Sequence, residues 1–139
     1  MRRRNMRRED GAAAVEFAII VSLLFVVVFG IMEYGVAFFT MQNLRSAVRE
    51  GARVAAVRGT GPEIQTAIVK GSSGALPSGY TGYTVSPAAC NDATQGTDIT
   101  VTLNLSKLPS SAKQALSINI PLLPPFNLTP TIKGVFRCE

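Results

Sequence analysis

A chain of 139 residues has room for one domain, and a membrane segment leaves about a hundred residues or fewer for a core outside the bilayer. The formal charge of +5 is concentrated in residues 1–11, where Arg2, Arg3, Arg4, Arg7 and Arg8 face only Glu9 and Asp10; the other 128 residues carry +2, which excludes a nucleic-acid surface spread over the folded part. With no histidine and only two cysteines, most metal-ligand sets and nucleophile–histidine pairs are excluded, so we expect no enzyme, no metal and no cofactor.

The basic residues 1–11 suit a cytoplasmic flank, and the competing reading, a nucleic-acid-binding arm, is disfavoured because an apolar run follows at once. Residues 12–32 form that run: 21 residues whose only strongly polar member is Glu16, with Ser22 as the one hydroxyl. At about 1.5 Å per residue a helix here crosses a hydrocarbon core of about 30 Å, whereas an open strand could not satisfy its backbone in lipid. Arginines before the run and none within it predict an N-in, C-out topology with the lipid bilayer as a partner. A secretory signal would have a shorter apolar core and a small-x-small cleavage site, but this run ends in Met32, Glu33, Tyr34 and Gly35. A short basic leader closing on Gly11 before Ala12, Ala13, Ala14, Val15, Glu16 and Phe17 resembles a prepilin leader instead. The resemblance implies cleavage between Gly11 and Ala12 by a prepilin peptidase, with Glu16 becoming the fifth residue of the mature chain.

Glu16 is the informative residue, since a carboxylate one turn into an apolar helix costs a few kcal/mol without a partner. The pilin resemblance implies that Glu16, with Phe17 beside it, serves assembly by pairing with the freed α-amino group of Ala12 of its own or a neighbouring subunit. The alternative is a carboxylate that reaches the cytoplasmic headgroups or is protonated in lipid.

No proline occurs between the run and Pro62, so the helix is expected to continue over 12–58, 47 residues and on the order of 70 Å. Leu44, Ala47, Val48, Gly51, Ala55 and Arg58 recur at three-and-four spacing, with Arg45, Arg49, Glu50 and Arg53 on the other side, as in an amphipathic helix. Gly30, Gly35 and Gly51 weaken the helix and mark bends or close helix contacts, the alternative for Gly30 and Gly35 being ordinary membrane-helix glycine.

The blocks GAAAVEFA at 11–18, FGIMEYG at 29–35 and AVREGARVAAVRG at 47–59 together resemble the TadE-like family over the first 59 residues. The most specific piece is Arg49, Glu50, Gly51, Ala52 and Arg53, with Glu33 in the middle block. The resemblance implies a minor pilin or pseudopilin of a tight-adherence (Flp, type IVb) pilus. Its expected partners are the prepilin peptidase, other pilin and pseudopilin subunits, and the pilus assembly platform in the bacterial inner membrane. A competing function is an uncleaved, single-pass anchor whose outer domain binds a ligand or an envelope protein.

Beyond Gly59, a turn at 59–62 precedes a short helix over 63–70 with Pro62 early in it. A Gly/Ser/Pro-rich loop then covers 71–82. Strands are expected at 83–86, 99–105, 117–120 and 131–138; in 99–105 the residues Ile99, Val101, Leu103 and Leu105 face one side. The fold class is α+β, a long membrane helix with an amphipathic extension packed on a small antiparallel sheet of three or four strands, in the manner of a type IV pilin. The expected organisation is leader 1–11, transmembrane helix 12–34, extracytoplasmic extension 35–59 and outer domain 60–139. Cys90 and Cys138 fit one disulfide in an oxidising compartment, worth about 2 to 4 kcal/mol, the alternative being two unrelated buried thiols. Residues 121–130, with Pro121, Pro124, Pro125 and Pro130, cannot be a central strand; such an apolar loop either covers the core or docks a partner.

Overall fold

The computed structural model describes residues 6–139; residues 1–5 of the expected leader, including Arg2, Arg3 and Arg4, and the side chains of 6–10 lie outside the described part. Helix α1 runs Met6–Ala56 without a break, 51 residues, because it holds no proline to remove a backbone donor, and alanine, the best helix former, is its commonest residue. It starts before the expected position 12 and stops two residues before Arg58. The stop is local: Arg58 takes a left-handed backbone (φ 61), and the Gly59 amide donates back to the Val54 carbonyl at 3.0 Å. This is a Schellman-type end with arginine where glycine is usual. A Cβ on Gly59 would lie 2.7 Å from the Val54 oxygen, so glycine is required one position later instead. Arg58 therefore does not extend the apolar stripe; it is exposed and pairs with Asp92.

Helix α2 spans Gly61–Gly71. Its start is secured by Glu63, whose carboxylate accepts from the Thr60 backbone amide (2.7 Å) and hydroxyl (2.8 Å), one half of a capping box, and Pro62 adds a preset φ. Ile64 and Ile68 turn its apolar stripe onto α1.

The sheet has three antiparallel strands in the order β1–β2–β5, with β1 Tyr83–Ser86, β2 Asp98–Leu103 and β5 Lys133–Arg137. In central β2, Ile99, Val101 and Leu103 are buried, as the alternation predicts. Leu105 leaves the expected strand because Asn104 caps a 3-10 turn over Leu105–Lys107, its side chain accepting from the Ser106 amide at 3.0 Å. Val101 pairs with Gly134 of β5 and with Val85 of β1, which places Gly134 on the inner face of the sheet.

The expected fourth strand does not join this sheet. Residues Ser117–Ile118 (β3) pair with Phe126–Asn127 (β4), a strand inside the proline-rich stretch, and form a separate two-stranded hairpin. Prolines at 121, 124 and 125 explain the short pairing, since they cannot donate to a ladder. A helix α3, Ser110–Ala115, precedes the hairpin and was not anticipated; Ala112 and Leu116 carry it into the core. The core lies between the C-terminal part of α1 (Leu44, Ala47, Val48, Ala52, Ala55, Ala56), α2 and the inner face of the sheet.

Candidate functional site: membrane stem and assembly face

The first part of α1 stands apart from this core. Its most apolar stretch is long enough to cross a membrane, and none of that stretch is buried in the protein. Large apolar side chains are exposed along it from Val15 to Phe39, whereas Ala37 and Thr40 are the first fully covered positions. A soluble fold would bury such a helix; here none of that stretch is buried by the rest of the protein. Ser22, the lone hydroxyl, is satisfied within the helix by donating to the Ala18 carbonyl at 2.7 Å.

Gly11 and Ala12 lie within α1 and are exposed, and a Cβ on Gly11 would meet nothing within 4 Å. Packing within the chain does not require glycine there. Glu16 is exposed, and among the described residues it forms no hydrogen bond or ion pair; Phe17 is exposed beside it. Both side chains are thus presented outward from an apolar rod.

Higher on the rod, half-buried Glu33 lines a cleft with Met32, Val36, Ser111, Gln114 and Ala115, between α1 and α3. Farther along, Arg49, Glu50, Gly51 and Arg53 divide by face. Gly51 is buried against Ile68 of α2, and Ala52 is buried in the core. Glu50 and Arg53 pair on the outer surface through two hydrogen bonds, and Arg49 is exposed. The Arg53 bond holds the Glu50 carboxyl below its ordinary value against the opposing effect of burial; the Thr60 backbone and side-chain bonds do the same for Glu63. Tyr80 and Tyr83 are pushed up by burial.

The far end of α1 is fastened by the C-terminus. Cys90 and Cys138 are joined, with Cα atoms 5.7 Å apart, the Cys138 amide donates to the Thr97 carbonyl at 2.8 Å, and the Glu139 amide donates to the Ala56 carbonyl at 3.1 Å. That last bond fills one of the carbonyls left open at a helix end.

The structure therefore brings Arg49, Glu50, Gly51 and Arg53 to the packed half of the rod near the disulfide, and keeps Gly11, Ala12, Glu16 and Phe17 on the order of 50 Å away along the helix. Sequence reasoning passed over Gly71 and Gly134. A Cβ on Gly71 would lie 3.1 Å from Ala47 Cα, and one on Gly134 would run into the Val48 carbonyl, 2.6 Å from its carbon. A glycine inside a strand, next to Val135 and Phe136, was the available signal for Gly134. Among the described residues no group of three or more histidine, cysteine, aspartate or glutamate side chains could hold a metal.

No curated protein and no solved structure matches the chain. The family model described as TadE-like protein matches residues 11–53, from Gly11 through Arg53 of the packed half. The match runs along the stem of this chain, from the uncovered apolar helix into the packed extension, which is therefore similar to the TadE-like family.

Proposed function

We propose that this protein is a minor pilin or pseudopilin that assists assembly of a tight-adherence (Flp, type IVb) pilus. The observation that carries the reading is the uncovered apolar half of α1, which lies within a TadE-like match and begins at Gly11. The TadE-like match connects the chain to Tad-pilus-related function in general; the specific role rests on the following physical reading.

The precursor is inserted N-in in the bacterial inner membrane, its arginines retained on the cytoplasmic side. A prepilin peptidase cuts after Gly11. Glycine suits this step because a peptidase needs the backbone extended, and a helix is most easily opened at glycine, by about 1 kcal/mol relative to alanine. The new α-amine of Ala12 and the carboxylate of Glu16 then lie about one turn apart, and packing of neighbouring stems pairs them between subunits. The outer domain serves as a rigid head for contact with other subunits, and the protein acts as a structural component rather than a catalyst.

Intact-mass measurement and N-terminal sequencing of protein recovered from native membranes test this, with Gly11→Ala and a peptidase-deficient strain beside the wild type. We expect a chain starting at Ala12 in the wild type and a retained leader in both controls. Retention of the leader in the wild type would sink the pilin reading in favour of an uncleaved membrane-anchored binding domain.

A further inference from the structure

The β3–β4 hairpin is apolar, exposed and strained at its tip. Ile120, Pro121, Leu122 and Leu123 make a turn closed by the Leu123 amide donating to the Ile120 carbonyl at 3.1 Å. Leu122 has φ 72, so this is a type II geometry with proline at its second position and leucine where glycine or asparagine is favoured. A left-handed backbone is unfavourable for a leucine, yet its side chain is 91% exposed and packs on nothing in the chain. Leu123 and Phe126 beside it are 56% and 60% exposed. In water this tip is unfavourable twice over, in backbone and in solvation.

The hairpin lies against α1 at a particular level. Ile120 Cδ1 sits 3.5 Å from the position of a Cβ on Gly30. Gly30 is about 27 Å along the helix from Ala12, within a hydrocarbon core of about 30 Å. The uncovered apolar surface of α1 continues past it to Phe39. The hairpin tip is therefore level with the outer end of the membrane stem and continuous with its apolar surface. No charged side chain occurs between Lys113 and Lys133. The backbone suits the same setting: Pro121, Pro124 and Pro125 carry no amide donor to leave unsatisfied, the Leu123 amide is bonded, and the hairpin arms pair with each other.

We propose that the β3–β4 hairpin is a second membrane contact, which seats Leu122, Leu123 and Phe126 in the lipid of the outer leaflet beside α1. It fixes the height and rotation of the outer domain on the bilayer, so that the head cannot swivel about a single helix. The inference rests on the membrane-anchor reading of α1.

The chain contains no tryptophan, so single tryptophans report position directly. Full-length protein would be placed in phosphatidylcholine–phosphatidylglycerol nanodiscs, one copy per disc, with bromines at shallow or deep positions on the acyl chains. Leu123→Trp and Phe126→Trp probe the hairpin, Phe25→Trp the stem, and Val57→Trp the exposed far end of the helix. Seating in lipid gives blue-shifted hairpin emission quenched by shallow bromines, Phe25→Trp quenched by deep ones and Val57→Trp by neither. Quenching of Phe25→Trp with water-like, iodide-accessible emission from both hairpin probes overturns the hairpin proposal and leaves the anchor standing. Blue-shifted hairpin emission that ignores bromine and depends on copies per disc also overturns it, in favour of a contact between subunits. Absence of bromine quenching at Phe25→Trp overturns the anchor and the hairpin proposal together.

Discussion

Gly134 is the residue on which the seating of the sheet depends most directly. The inner face of β5 meets the backbone of α1 with no side chain between them, and a methyl group at Gly134 would overlap the Val48 carbonyl and lie 2.9 Å from the Arg49 amide. Because backbone cannot rotate aside as a side chain does, the strand has to move. Gly134→Ala should destabilise the outer domain by about 1 to 3 kcal/mol, the usual range for overpacking. Urea unfolding of the full chain in detergent, followed by near-ultraviolet circular dichroism, reads this as a lower midpoint. An unchanged midpoint would mean that β5 does not approach α1 this closely.

At the scale of elements, two connections hold the packed half of α1, and each has its own chemical control. The start of α2 depends on Glu63 as a carboxylate, and the Thr60 bonds lower its folded pKa from the ordinary 4.5. A group depressed in the folded state contributes stability above its unfolded pKa and loses it as pH falls through the folded one. Thermal stability of the wild type should thus decline below about pH 4.5, with Glu63→Gln declining less steeply and starting lower at neutral pH. Equal pH profiles for the two proteins would refute a charged cap. The second connection is the Cys90–Cys138 bridge, which with the Glu139 amide secures the C-terminal strand to the end of α1. Replacing both cysteines with serine should remove about 2 to 4 kcal/mol, since the bridge closes a separation of 48 residues. Urea midpoints of the oxidised wild type and the double variant provide the comparison.

For the whole molecule, the folded head and the uncovered stem are separable in what they do. Glu16 touches nothing in the head, so Glu16→Ala should leave the urea midpoint and the cut after Gly11 unchanged. Its loss should appear only in co-purification with other pilus subunits, falling by at least about tenfold if each pair is worth more than about 1.4 kcal/mol in lipid. Normal co-purification would remove the intersubunit salt bridge from the assembly account.

Patterns that depend on neighbours along the chain were legible from the amino acids alone. The apolar run at 12–32, the continuation without proline, the short helix after the turn with Pro62 early in it and the alternation of Ile99, Val101 and Leu103 each reflect local solvation or local backbone geometry. The same holds for the TadE-like blocks, which lie along one continuous helix and its C-terminal turn. What tertiary structure decided involves partners distant in sequence. Residues 117–120 had the alternation of a sheet strand, but the prolines at 121, 124 and 125 made Phe126 and Asn127 the available partners, so the segment became a separate hairpin. Leu105 continued the alternation of β2 until the Asn104 cap turned the chain. Arg58 matched the helical spacing, yet the helix had already ended at Ala56 through the Gly59 bond. Gly71 and Gly134 look like ordinary loop and strand glycines until α1 is seen to pass within a methyl group of each. Solvation and backbone preference act over a few residues and can be read in order, whereas close approach is set only when separate elements occupy the same space.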